Sequence, residues 1–382
     1  MRGTAEIAGG GITGLFTGYL LAREGWRVRI HERADDVREI GAGIYLKNNS
    51  ISLLEHLGIA ERVVGKSIWL RRAEIRDHND AIVQQRSLTG GARVYNLPRS
   101  DLVLNMAAVA RDAGAQVVTH SSVEAVEPRG RVVLASGETF DADLVIVSDG
   151  FRSRLRQQLG TEILARELGN GATRFLVPRT DFEREEITRE WWSGRRRVGL
   201  APASATMTYT YMSSPQSDRD SCALPLDVES WLRDFPMLAP FLERLRGVTT
   251  GTRFAYCVAK NSRWSNGRVA ILGDAAHAMP PTLGQGAGCS MMNAYSLVDT
   301  LRDADDVAAG LVQWQDRIRY VTDQTQAWAL RYDALMSNWP RWLSGLRRGI
   351  IWSFGKSTTL NGKMRVADRV NVVTLRSEGA AS

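Results

Sequence analysis

Cysteine is scarce: Cys222, Cys257 and Cys289 are the three in 382 residues, far apart and odd in number. Neither a disulfide framework nor a CxxC metal site can be assembled from them, and no metal centre is expected. No apolar run approaches the roughly 18–20 residues that a helix needs to cross a bilayer, so no membrane span is expected. No signal-peptide pattern follows Met1-Arg2, where the chain passes straight into a strand and a glycine turn. A reducing cytoplasm is the expected setting. Long basic blocks are missing too: 49 Lys and Arg against 42 Asp and Glu leave a net charge of +7 that is spread along the chain. Nucleic-acid binders concentrate such charge on one face or tail. Here the excess favours small anionic ligands. There is no internal repeat, and the Ser/Gly/Ala tail at 377–382 is the longest biased stretch.

With 44% hydrophobic and 24% charged residues the composition is that of an ordinary globular protein. The length allows two domains, or one large α/β unit with an inserted sheet. Thr4-Ala5-Glu6-Ile7-Ala8 reads as a strand ending in glycines, Ile12 to Arg23 has helical spacing, and Val28–Glu32 is a second strand. Residues 97–114 look helical, and Leu144-Val145-Ile146-Val147 is a buried parallel-type strand. From 172 to 260 the character changes to alternating strands rich in Thr, Tyr and Arg. The α/β pattern returns with Val269-Ala270-Ile271-Leu272, a long helix follows Gly288, and 307–353 is helical with Trp328, Trp339, Trp342 and Trp352 in it. The domains are therefore expected to interleave. Residues 1–72, 96–171 and 268–306 form a Rossmann-like unit, 73–95 and 172–267 an inserted antiparallel sheet, and 307–382 a helical C-terminal region.

Three motifs carry chemistry. Gly9-Gly10-Gly11-Ile12-Thr13-Gly14 is a GxGxxG between strand and helix. Such a turn lets the backbone approach a pyrophosphate and presents free helix N–H groups to it. Glu32 ends the next strand, placed for a ribose diol, and a carboxylate there disfavours a 2′-phosphate. Asp149-Gly150, followed by Ser153 and Arg154, comes straight after the 144–147 strand and would by itself pass for a capped turn. The third runs from Gly273-Asp274 through His277 and Pro280-Pro281 into Gly284-Gln285-Gly286-Ala287-Gly288. Asp274 again stands at a strand end, the edge where α/β sheets meet ligands. His277 has no partner at metal-ligand spacing and reads as local structure. Cys289 and the tryptophans read as packing.

Together the three motifs resemble the FAD-dependent aromatic hydroxylases of the p-hydroxybenzoate hydroxylase type, over nearly the whole chain. The likeness is strongest, in Ala5–Leu15, Gly41–Leu46 and Leu272–Leu297, to members that act on a hydroxypyridine ring. The resemblance implies non-covalent FAD contacted by Gly9, Gly11, Thr13, Gly14, Glu32, Arg33, Arg99 at the pyrophosphate, Asp149 and Asp274. Gly284, Gly286, Ala287 and Gly288 would line the isoalloxazine, with Pro281 at its reactive edge and Tyr45 beside the ring. NAD(P)H, with NADH favoured, would reduce the flavin, and O2 would supply one atom through a flavin C4a-hydroperoxide. No second βαβ glycine fingerprint is present, so nicotinamide is expected to bind transiently in a groove.

Within Trp191-Trp192-Ser193-Gly194-Arg195-Arg196-Arg197, period-2 geometry puts Arg195, Arg197 and Gly199 on one face. A turn centred on Ala203 would set Arg197 opposite Tyr209, where both could hold one small anion. The two also match a substrate-contacting Arg and Tyr of the hydroxypyridine enzymes. By the same resemblance Ala73 stands in place of a substrate-contacting Tyr, and Lys47-Asn48 replace a Trp-His pair, so a different ring is expected. The sequence thus points to a monooxygenase that hydroxylates, with or without ring opening, a small anionic aromatic or N-heteroaromatic compound positioned by Arg197, Tyr209 and Tyr45. A flavin reductase or dehydrogenase without oxygen insertion, and a non-enzymatic flavin sensor, are the competing classes.

Overall fold

The computed structural model describes residues 2–37, 42–337, 339, 343, 345–347, 349–350, 357 and 362–374. Trp342 and Trp352, Gly41, and much of 351–382 lie outside the described residues. The first strand Thr4–Ala8, the helix Ile12–Arg23 and the strand Arg27–His31 occupy the βαβ opening expected of them. Thr4–Ala8 pairs in parallel with Arg27–His31 on one side and with Leu144–Val147 on the other. The six-stranded sheet runs Ser265–Asn266, Val269–Ile271, Leu144–Val147, Thr4–Ala8, Arg27–His31, Gln116–Val118. Its strands are buried on both faces because helices cover both, which is why Leu144–Val147 is a continuous apolar run.

A seven-stranded sheet carries the middle of the chain, in the order Thr252–Asn261, Glu162–Pro178, Met207–Pro215, Arg196–Pro202, Ile187–Ser193, Arg72–Asp77, Ile82–Ser87. It starts at Glu162, earlier than the change of composition at 172, because Glu162–Glu167 already pairs with Cys257–Asn261 before a bulge. One face packs on Trp231, Phe235, Phe241 and Leu242 and supplies Phe175, Trp191, Val198, Leu200 and Met212 to that core. The other, inner face carries Thr188, Glu190 and Trp192, then Arg197, Gly199 and Ala201, then Tyr209, Tyr211 and Ser213, as the pairing of Glu190 with Gly199 and Gly199 with Tyr211 requires. The helix Val307–Ser337 lies against this face, where Met336 and Tyr332 meet Trp192 and Ile75.

Two local expectations fail here. The run from Trp191 to Arg197 is not one strand: Ser193 pairs with Arg196 across a tight turn of Gly194 and Arg195, with Gly194 at φ +53°. Arg195 therefore leaves the sheet and donates to the Ser337 carbonyl at 3.2 Å. The next turn is centred near Ala205 and not Ala203, so Arg197 lies opposite Ser213 and Tyr209 opposite Ala201. Ala203 N–H and Ser204 N–H both donate to the Met207 carbonyl, which places the reversal at 203–206. Arg197 and Tyr209 still share the inner face, but they stand four positions apart along it, from 197 to 201, or about 13 Å.

Candidate active site

The crevice begins at the glycine turn. Gly9 has φ +104°, and a Cβ on Gly14 would lie 1.9 Å from the Gly9 carbonyl oxygen, so helix and strand meet with no space between them. In front of Gly11, by contrast, a Cβ would meet nothing within 4 Å. The helix Ile12–Arg23 starts there without a side-chain cap, leaving its first N–H groups pointing into open space. Glu32 flanks the turn: its carboxylate accepts from Gly10 N–H at 2.9 Å and from Ala34 N–H at 3.0 Å. Two backbone amides fix the carboxylate and leave further lone pairs for a ligand hydroxyl pair. Arg33, next to it, is exposed.

Asp149 and Asp274 are both solvent-exposed, yet the surrounding protein raises both carboxyls above their ordinary range by desolvation. Both carboxylates are thus open to solvent on one side and crowded by protein on the other. Arg99 and Arg174 pull the Asp274 value back, which places both guanidiniums near it. Arg99 opens the helix Arg99–Asp112, and its N–H donates to the Ala42 carbonyl at 3.1 Å. Gly273, at φ +64°, sits where a Cβ would meet the Thr13 hydroxyl at 2.5 Å, so the third motif abuts the first. Arg156 ties the second motif to the third. It is 1% exposed, and it donates to the Ala275 carbonyl at 3.0 Å, to the Phe151 carbonyl at 3.0 Å and to Glu162 at 2.7 Å. Sequence reading passed over Arg156, although its place three residues after the capping Ser153 puts it in the first turn of Arg154–Gln158.

Past Pro281–Leu283 the chain turns at Gly284 into the helix Gly286–Asp303. Tyr45 and Lys47, on the strand Gly43–Lys47, lie against Gly284. The structure brings Tyr45 and Tyr209 together, with ring centroids 5.9 Å apart and edge to face. Tyr211 continues the row at 5.9 Å from Tyr209, its ring over Gly199. The Tyr45 hydroxyl meets that of Thr188 at 3.1 Å. Burial raises the Tyr45, Tyr209 and Tyr211 phenols, so they stay neutral at physiological pH.

Arg197 is not brought up to Tyr209. It is 3% exposed, reaches Glu190 at 3.4 Å and Asp333 at 3.8 Å, and donates to the Ser213 hydroxyl at 3.2 Å. Asp333 comes from the C-terminal helix, and nothing in its local sequence links it to position 197. Glu190 was legible in principle, since it shares the parity of Trp192 across a short hairpin from Arg197.

His277 is 2% exposed and accepts at Nε2 from the Asn293 amide at 3.0 Å. Burial lowers its pKa to about 4, so it stays neutral and is poorly placed for acid–base work. Because the folded pKa lies below the unfolded one, stability is full above about pH 6.5 and falls as pH drops towards 4. His277→Leu is expected to shrink that acid-side fall in melting temperature while sparing FAD content. An unchanged pH profile would show that this ring does not drive it.

The crevice has the parts a dinucleotide needs: an open helix N-terminus, a fixed carboxylate beside it, and two arginines flanking the far wall. Residues 3–305 match the family model described as FAD binding domain. The chain belongs to the FAD-dependent aromatic hydroxylases. A 2-heptyl-3-hydroxy-4(1H)-quinolone synthase of Mycobacteroides abscessus is 34% identical over 94% of this chain and 96% of its own length. The enzyme of that name from Pseudomonas aeruginosa strain PAO1 is 27% identical over 89% and 92%. Among solved structures, the tetrameric form of 2-methyl-3-hydroxypyridine-5-carboxylic acid oxygenase superposes with a TM-score of 0.85 at 31% identity over 97% of both chains. This hydroxylase is accordingly a flavin monooxygenase of the p-hydroxybenzoate hydroxylase fold. Among its described residues no helix is long and apolar enough to cross a membrane, and no cluster of side chains could hold a metal ion.

Proposed function

We propose that this hydroxylase inserts one oxygen atom into a neutral N-heteroaromatic ring of the 4(1H)-quinolone class, using NADH and O2. The observation that carries the reading is the charge balance at Arg197. A guanidinium facing two carboxylates has little field left to draw in a substrate anion, which favours a neutral ring over the anionic one expected from the sequence. The quinolone synthases among its relatives support the same class. Ala73 and Ala201 share an apolar patch with Leu70, Leu88 and Val94, which suits an alkyl substituent on the ring.

In this reading the amides after Gly11 and the Arg99 guanidinium hold the FAD pyrophosphate, and Glu32 holds the adenosine ribose. Gly9, Thr13 and Gly14 shape the turn, with Arg33 at its rim. Asp149 and Asp274 bind the ribityl–phosphate stretch. Pro281, Gly284, Gly286, Ala287 and Gly288 border the isoalloxazine. The bound flavin supplies the two-electron and oxygen chemistry. The protein's own part is to orient the ring and keep it dry. Tyr45 and Tyr209 flank it from one side, while Arg197 holds Glu190 in place at the other end of the inner face.

Glu32→Ala is expected to weaken FAD binding by about 1.5–3 kcal/mol, the value of hydrogen bonds to a charged group. Reconstitution of the apoprotein, followed by flavin fluorescence, measures it. An unchanged affinity would remove Glu32 from the ribose. The substrate class is tested by the rise in NADH oxidation with 2-alkyl-4(1H)-quinolones, hydroxypyridine carboxylates and hydroxybenzoates. Stimulation and a product by the quinolones alone is the expected result; stimulation by the carboxylates alone would return the reading to an anion clamp.

A further inference from the structure

Three central strands of the inserted sheet, Ile187–Ser193, Arg196–Pro202 and Met207–Pro215, contain one acidic residue, Glu190. It faces inward at the middle of its strand, opposite Gly199. Burial raises the phenols of Tyr45, Tyr211 and Tyr332, and the nearby charge of Glu190 adds to the shift of each, so all three stay protonated. The other charged groups nearby are Arg197, Asp333 and Arg347, whose guanidinium donates to the Gly194 carbonyl.

Glu190 is under-engaged for a carboxylate in such a place. Its contact with Arg197 is 3.4 Å, well beyond the roughly 2.7–2.9 Å of a charge-assisted hydrogen bond. Only Oε1 makes that contact, and Oε2 has no partner among the described residues. The side chain is 19% exposed, so water cannot solvate it fully. A half-buried carboxylate with an open oxygen favours a donor. Arg197 does not need Glu190 as its sole counter-ion, because Asp333 also faces it.

We propose that Glu190 recognises the substrate by accepting a hydrogen bond from its ring N–H. This rests on the quinolone reading above. A 4(1H)-quinolone has an N–H conjugated through the ring to the carbonyl, and its C3 is the electron-rich carbon of that system. Negative charge beside the N–H pushes electron density towards C3, the carbon that must receive an electrophilic oxygen. The same interaction rejects the isosteric ring in which oxygen replaces N–H, because its lone pairs would face the carboxylate.

The test compares a 2-alkyl-4(1H)-quinolone with the matching 2-alkylchromone, which has ring oxygen in place of N–H. Dissociation constants are read from the flavin absorbance of the FAD-loaded enzyme without NADH, with FAD content per chain checked for each variant. The wild type is expected to prefer the quinolone by at least roughly tenfold. Glu190→Gln, which keeps shape and a weaker acceptor, should retain only a few-fold preference, and Glu190→Ala should bind the two about equally. Retention of the full preference in FAD-replete Glu190→Ala would overturn the assignment, as would a wild type that hydroxylates the quinolone yet binds the chromone as tightly. A wild type that neither binds nor hydroxylates any quinolone would overturn the ring class itself.

Discussion

Arg156→Ala is expected to cost about 3–5 kcal/mol of folding stability and to yield protein with little bound flavin. The side chain is 1% exposed and spends its donors on two carbonyls and one carboxylate. Removing it strands the Phe151 carbonyl, leaves the Ala275 carbonyl to the Asn261 amide alone and takes the cation from Glu162, and loss of one partner from a largely buried ion pair has this magnitude. The flavin loss follows from position. Phe151 lies two residues after Asp149, and Ala275 follows Asp274, so Arg156 links the two carboxylate-bearing walls of the crevice. Arg156→Lys should recover only part of both effects, since one ammonium cannot reach three acceptors in the geometry of a planar fork. Denaturant unfolding and flavin content per chain measure the two; a stable, fully yellow Arg156→Ala would show that the strut is dispensable.

Arg197→Met is the second large effect. The sequence alone predicts a variant with intact flavin and weaker substrate binding, as for a clamp on a small anion. The structure predicts a loss of about 3 kcal/mol in stability as well, because Glu190 and Asp333 would then face each other across a buried space without the cation between them. The sign can be checked by relief. Adding Asp333→Asn to Arg197→Met removes one of the two uncompensated charges, and should restore a good part of the loss. Equal melting temperatures for wild type and Arg197→Met would show that the three groups are not coupled.

The crevice at the glycine turn was legible in the sequence because its requirements are local. Gly9 to Gly14, Glu32, Asp149 and Asp274 each stand at the end of a short strand, and a strand that ends in glycine or an acidic residue announces itself in a few residues. The strands Thr4–Ala8 and Leu144–Val147 and the helix Ile12–Arg23 fall where those patterns put them. The substrate side was not legible to the same degree. Its register depends on where two turns fall, and the signals competed: Gly194 made a tight hairpin inside what read as one strand, and Pro202 stayed in the sheet instead of turning. Parity survived the error, since a displacement of the turn by two residues keeps every side chain on its face. Hence Arg197 and Tyr209 share the inner face as expected, though not as neighbours. Asp333 and Arg347 could not be anticipated, because their contacts with the sheet arise only when the C-terminal helices dock.

The central claim is that the protein transfers one atom of dioxygen to a neutral nitrogen heterocycle. Its most direct test is a reaction of the yellow, FAD-loaded protein with NADH, a 2-heptyl-4(1H)-quinolone and isotopically heavy O2, followed by mass spectrometry of the ring product. The account predicts a 3-hydroxylated quinolone carrying one heavy oxygen atom, formed in proportion to NADH consumed. Consumption of NADH with all the heavy oxygen recovered as peroxide and water, and none in the ring, would contradict it.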